Sequence, residues 1–274
     1  MSMGRGRKTI AFLAASIVAA LFALPILWMV SSSLKDTNSI FKVPPDWIPN
    51  PVRWRNYIDA TQYIPYWMYL KNTLVISVLS AIGAMISTPS VAYAFAKMKW
   101  PGRNAVFLIV LSTLMLPFQV QIIPLYVLFK NMDWLNTYLP LIVPNFFSGA
   151  LFIFMLRQFM SGVPRSVIEA AFIDGAGHGK ILANIMVPFC LPAIFTIGLF
   201  TFMGSWTDFF GPLIYLNRVE NFTLSLGLQQ FSSLHHTEWG YLMAASCLFT
   251  LPVVLLFFFT QRSFIMGISF KGVK

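Results

Sequence analysis

Charge is what this sequence has least of. Only 10% of its 274 residues are charged and 57% are hydrophobic, whereas a soluble domain carries about 25% charged residues. A water-soluble fold of this length cannot hide so much apolar surface, but a bilayer can, because there the solvent is itself apolar. Cysteine is nearly absent too. Cys190 and Cys247 are the two present, which excludes a disulfide framework. In the topology derived below they lie at different depths, too far apart to be bridged, so both are expected as free thiols. No HExxH motif, no Ser/His/Asp set and no Cys/His set is present. His235 and His236 are adjacent, so their side chains point apart, and no metal site is expected. The run from Asp174 to Ile181 imitates a phosphate-binding loop. It lacks the first glycine and the hydroxyl residue after Lys180, so nucleotide binding is not expected. No internal repeat or low-complexity tract is visible.

What the sequence has is long charge-free runs. A helical span needs about 20 such residues. Six are expected, near 10–30, 73–96, 104–126, 136–156, 186–207 and 240–261, giving one all-α polytopic membrane domain over 1–274. The first run follows Arg5, Arg7 and Lys8 but is too long for a signal-peptide core, so it is read as a retained helix. With both termini inside, twelve of the nineteen lysines and arginines fall on the inner side, and the positive-inside rule selects N-in/C-in. The net charge of +10 comes from small juxtamembrane clusters rather than one stripe, so no nucleic-acid partner is expected. Membrane lipid is the partner composition implies. Pro44, Pro45, Pro49 and Pro51 forbid regular helix in the outer segment between spans one and two.

The inner segment 161–188, between spans four and five, is the most polar cytoplasmic stretch. Pro164 suits a helix start, and Gly175 suits the position after its end. A second short helix, Lys180 to Val187, is expected to stop at Pro188. The product is a helix–turn–helix knob. Ala170 and Ala171 are small enough for a partner's close approach, Val167, Ile168 and Phe172 offer apolar contact, and Glu169 can accept a charge-assisted bond. From the residues alone, an ordinary amphipathic loop packed on its own bundle fits equally well.

Polar residues inside spans must face protein or water. Gln119 and Gln121, flanked by Pro117 and Pro124, interrupt span three, and Asn136, Asn145 and Ser148 interrupt span four. Asp208 ends span five, where it either lines a pathway or caps the helix end, the structural role being preferred. Gln119, Gln121, Asn145 and Asp208 are the pathway or gating candidates.

Glu169-Ala170-Ala171, Gly175 and Ile185-Met186-Val187-Pro188 resemble, at matching spacing, the EAA loop of binding-protein-dependent ABC importer permeases. Val187 replaces the usual leucine. Ser33-Leu34-Lys35, Asn56-Tyr57, Pro164, Asp174-Gly175-Ala176, Trp206-Thr207-Asp208-Phe209, Gly267 and Lys271-Gly272 are similar to the carbohydrate-type permeases, on the side of the maltose transporter's second membrane subunit. Ser269-Phe270 depart from the small pair common in that tail. The resemblance implies a non-catalytic transport subunit in a bacterial or archaeal inner membrane, with a sugar as solute. Glu169, Ala170, Ala171, Asp174 and Gly175 would form the ATPase-coupling helix. Implied partners are a homologous second permease, two ATPase subunits and an extracytoplasmic solute-binding protein. ATP and Mg would sit on the ATPase subunits, with no cofactor on this chain. The same machinery with a non-sugar solute is the alternative. An ion-coupled carrier is disfavoured because spans one, two and six hold no charge, and a membrane enzyme because ionisable groups do not cluster.

Overall fold

The computed structural model describes residues 5–232 and 237–268, with side chains from 9 to 260 within those ranges. His235-His236 and the tail beyond residue 268 lie outside them. Every named element among the described residues is helical. In chain order the α-helices are α1 (Arg5–Ser33), α2 (Thr37–Ile40), α3 (Arg55–Tyr63), α4 (Tyr66–Ala96), α5 (Arg103–Ser112), α6 (Phe118–Asn131) and α7 (Leu139–Ile142). They continue with α8 (Ala150–Ser161), α9 (Arg165–Ile173), α10 (His178–Ile181), α11 (Val187–Thr207), α12 (Phe210–Tyr215), α13 (Leu224–Leu228) and α14 (Trp239–Ile268).

Among the described residues, five stretches are long and apolar enough to cross a membrane: Thr9–Ser33, Tyr66–Ala96, Leu139–Ser161, His178–Thr207 and Trp239–Thr260. A sixth crossing exists if α5 and α6 count as one broken span, because they meet at 102°. The third run is therefore not the single rod expected over 104–126. Pro117 has no N–H to continue the ladder. Just before it, the hydroxyls of Ser112 and Thr113 donate to the carbonyls of Ile109 and Val110, both at 2.7 Å, which competes with helix propagation. Gln121 Nε2 then donates to Leu116 O across the break at 3.0 Å. Single prolines elsewhere, at Pro25, Pro89, Pro192 and Pro252, sit inside α1, α4, α11 and α14 without ending them. Pro188 does not stop its helix either. The residues before it, Leu182–Met186, form a π-helical stretch that leads directly into α11. A π-turn is wider by one residue, which gives the pyrrolidine ring room where an α-turn would put a carbonyl against it.

The chain forms two compact units. The first holds the described residues up to Trp67 together with 227–254. In it, Asn56 Nδ2 donates to Ser33 O at 2.9 Å and Lys35 O at 2.8 Å, capping the end of α1. Ser33 Oγ and Tyr57 Oη share a hydrogen bond of 2.8 Å, and Arg53 pairs with Asp36 at 2.7 Å. Lys35 is only 2% exposed. Its Nζ lies 4.2 Å from the Trp28 ring centroid, and burial pushes its pKa down. The ring face supplies part of the stabilisation that water would give the ammonium.

The second unit holds Met68–Leu226 and the chain from Leu255. Its main core joins α4, α8, α9, α10 and α11 through Tyr93, Leu156, Met160, Ile168, Ile181 and Ile194. Small residues let these rods approach. A Cβ at Gly198 would overlap Met85, and one at Gly83 would overlap Phe146. Close backbone packing of this kind replaces the hydrophobic drive that is missing between helices in lipid. Ser148 Oγ bonds Ser87 Oγ at 2.8 Å and Thr88 Oγ1 at 3.2 Å. Asn136 accepts from the Asn217 and Arg218 amides at 2.8 and 3.0 Å. These two polar interruptions of span four tie segments together. On α1 the large side chains, such as Phe12 and Phe22, are exposed, as expected of a helix that meets lipid or another membrane chain.

Candidate functional site

The polar knob is an elbow built on α9. Its backbone start at Pro164 is extended and its end is closed by a Schellman turn. The Ala176 amide donates to Ala171 O at 2.9 Å and the Gly175 amide to Phe172 O at 3.0 Å. That pairing needs a left-handed residue at the position Gly175 occupies, and Gly175 has φ of 78°. The fixed spacing from Glu169-Ala170-Ala171 to the glycine thus has a physical cause: the helix must end there. Asp174 sits at the helix end, exposed. The mimic of a phosphate loop over 174–181 is this turn followed by α10.

The two faces of α9 do different work. Ile168 and Ala171, 7% and 8% exposed, pack into the chain's own core. Small size at Ala171 therefore serves internal packing, which corrects its expected place on a partner-facing surface, and the same holds for Ile168. Glu169 and Ala170 are exposed, with Ile173 at 87%. The spacing 166, 169/170, 173 places them along one side of the helix. Ile173 was missed in the sequence, although that spacing from Glu169 could have identified it. His178 braces the elbow from behind. Its Nδ1 and Tyr93 Oη on α4 are hydrogen-bonded at 3.0 Å, and its ring meets Phe172 edge-on at 5.0 Å. Lys97 Nζ donates to Val163 O at 2.7 Å. Burial and the neighbouring Arg165 charge hold its pKa below the usual lysine value. Glu169 lies in the wall of a cavity of about 350 Å³ that Lys97, Lys99, Arg103 and Arg165 also line.

The pathway candidates divide. Gln119 is exposed and Gln121 braces the α5–α6 break; neither lines the cavity that Asn145 and Asp208 share. That cavity, of about 380 Å³, lies between α6, the segment from Pro140 to Phe152, and the C-terminal half of α11. Thr201, Ser205 and Asp208 reach it from successive turns, at i, i+4 and i+7, one face of a helix. Phe118, Phe129, Phe152 and Phe200 supply apolar wall, and Tyr215 completes it. Thr201, Ser205 and Tyr215 were not singled out from sequence, though the three-then-four spacing back from Asp208 could have marked the first two.

Asp208 also caps. Its Oδ1 accepts the Gly211 amide at 3.1 Å, at the start of α12. Its carbonyl accepts from Ser225 Oγ. Burial raises its carboxyl pKa, against the lowering effect of the Gly211 and Phe210 amides. A carboxyl whose pKa is higher folded than unfolded favours folding most when protonated. Thermal stability is expected to be greatest below the unfolded-state value and to fall as pH rises through the folded value. Asp208→Asn should remove that part of the slope in a pH series of unfolding temperatures.

Residues 88–268 match the family described as "Binding-protein-dependent transport system inner membrane component". The chain is 30% identical over 262 residues to the arabinooligosaccharides transport system permease protein AraQ of Halalkalibacterium halodurans, covering 94% of each chain. It is 28% identical over 251 residues to the diacetylchitobiose uptake system permease protein DasC of Streptomyces coelicolor, covering 91% of each. Its fold matches a chain of a bacterial ABC transporter involved in the import of the acidic polysaccharide alginate. That match has a TM-score of 0.80 and 19% identity, covering 96% of this chain and 99% of the other.

Proposed function

We propose that this chain, which belongs to the inner membrane components of binding-protein-dependent transport systems, moves a saccharide across the membrane under the drive of separate ATPase subunits. Relatives named for diacetylchitobiose and arabinooligosaccharides support the class of cargo. The observation that carries the coupling is the two-faced α9. Its Glu169–Ala170–Ile173 side is bare, while its Ile168–Ala171 side is keyed into the core shared with α4, α8 and α11. A cleft on an ATPase subunit that grips the bare side would push on a body already packed against three membrane helices. Closing of the ATPase pair around ATP would rock those helices between two arrangements, a two-state element biased by a partner.

The inner placement of twelve of the nineteen basic residues supports both termini and the elbow in the cytoplasm. Exposed apolar side chains on α5 and α6, Leu108, Ile109 and Ile123 among them, support a second membrane chain as partner. The solute-binding protein that names the family delivers cargo from the opposite side.

Purified alone, the chain is expected to hydrolyse no ATP above a detergent blank. With a second permease, two ATPase subunits and the binding protein in vesicles, it accumulates saccharide only while ATP is present. Hydrolysis by the lone chain, or uptake that persists without the ATPase subunits, refutes this division of labour.

A further inference from the structure

We propose that the inner ends of α4, α5, α8 and α9 form a headgroup site for an anionic phospholipid of the inner leaflet, with Lys99, Arg103 and Arg165 as the groups that hold its phosphate. The site is independent of which solute is moved and needs only the inward placement of these helix ends.

Two cavities meet at this corner. One, of about 330 Å³, has Lys99, Trp100, Arg103, Asn104 and Arg165 in its wall. The other, of about 350 Å³, takes in Lys97, Glu169 and His178 and shares Lys99, Arg103 and Arg165 with the first. Four cations thus face one carboxylate. None of the four makes an ion pair among the described residues. The ion pairs there, Lys42–Asp46, Arg53–Asp36 and Arg55–Asp59, all lie in the outer segment between spans one and two. Lys97 Nζ is turned to Val163 O and Arg103 donates to Met98 O at 3.0 Å. Lys99 and Arg165 are exposed, with no side-chain hydrogen bond among the described residues. Like charges gathered without a counter-ion repel one another. A phosphate at the shared corner would offset that repulsion, and the arginine fork matches its oxygens.

Depth favours a lipid phosphate over a free one. The span Tyr66–Ala96 ends at the residue before Lys97, and α5 sets out again from Arg103. Between them Trp100 is half-buried, its Nε1 donating to Ala94 O at 3.3 Å, a residue type suited to headgroup level. Apolar surface lies one turn deeper beside the cations. Val106, at i+3 from Arg103, is 41% exposed, and Phe154, at i−3 from Arg157, is 38% exposed. The Phe154 ring stacks with that of Phe107 at 6.5 Å, and the Arg157 guanidinium lies 4.0 Å from the Phe107 centroid. Acyl chains would lie along Val106 and Phe154; a free anion makes no use of them. A headgroup held by Lys99, Arg103 and Arg165 would tie the first turn of the elbow to the α4–α5 connection.

The test titrates the full-length chain, in a neutral detergent, with radiolabelled phosphatidylglycerol and counts the lipid retained on gel filtration. Saturable binding is expected, and unlabelled phosphatidylcholine of the same chain length should not compete. In Lys99→Gln with Arg165→Gln, affinity is expected to fall about thirtyfold, about fivefold for each cation removed. Arg5→Gln with Arg7→Gln removes the same charge from the inner side and should leave affinity unchanged. Equal losses in the two pairs mean diffuse attraction and overturn the site. Competition by phosphatidylcholine as strong as by phosphatidylglycerol, or by inorganic phosphate at the same concentration, also overturns it. So does release of the label when ATPase subunits dock, which would assign the cations to a protein partner. If the Lys99/Arg165 pair fails to fold, Lys99→Gln alone decides, with a loss of about fivefold expected and no loss overturning the site.

Discussion

Glu169→Lys is expected to leave the chain folded in the membrane and to abolish solute uptake. Glu169 is exposed on the outer side of α9, away from Ile168 and Ala171, which hold that helix to the core. Reversing its charge removes no packing contact, so the variant should reach the membrane in normal amount, with only a small fall in unfolding temperature from the neighbouring cations. The partner surface would lose an acceptor for a charge-assisted hydrogen bond and meet a cation in its place. Breaking such a pair at an interface costs about 2–5 kcal/mol, a factor of roughly thirty or more in affinity. Lys97, Lys99, Arg103 and Arg165 already line the cavity next to it, so the new lysine adds to an excess of like charge. Co-purification of the ATPase subunits measures the docking, and radiolabelled solute measures the uptake. Normal uptake with Lys at 169 would sink the coupling role of this face.

Ile181→Ala should separate docking from transmission. Ile181 is fully buried at the end of α10, in the core that also holds Leu156, Met160 and Ile194. Truncation to alanine leaves a cavity between the elbow and the helices it must move, at a cost of about 2–4 kcal/mol. The Glu169–Ala170–Ile173 side is untouched, so ATPase subunits should still bind and hydrolyse. Saccharide moved per ATP is expected to drop severalfold, because a loosened joint absorbs displacement. Parallel measurement of hydrolysis and uptake distinguishes this from the Glu169 variant, in which both fail together. Equal loss of docking in the two variants would mean that the core does not act as a transmitter.

Much of this arrangement was readable before any coordinates. Charge-free runs identified the first, second and last membrane helices because hydrocarbon solvent imposes one rule on every residue in a long window. The end of α9 was legible because a left-handed residue at Gly175 leaves a compositional mark. Other features needed three dimensions. Pro117 announced an interruption, but a 102° turn depends on where Ser112, Thr113 and Gln121 send their hydrogen bonds. Ser33-Leu34-Lys35 and Asn56-Tyr57 read as two separate signatures, yet Asn56 caps the carbonyls of Ser33 and Lys35. Neither signature alone predicts that junction. Ala171 looked like a gap left for a visitor, and only its neighbours show that it is filled from within. Tyr215 gave no sign at all, because a place in a cavity wall is a property of surroundings rather than of residue type.

The widened turn at Leu182–Met186 carries one more consequence. It works as a phase shifter: α10, at the back of the elbow, and the long rod after it are one continuous piece, but an extra residue sets their angular offset. Each residue of an α-helix advances the azimuth by about 100°. Removing one residue from that turn would swing Thr201, Ser205 and Asp208 by about that angle relative to Glu169. The grip and the stripe would both survive, aimed at different neighbours.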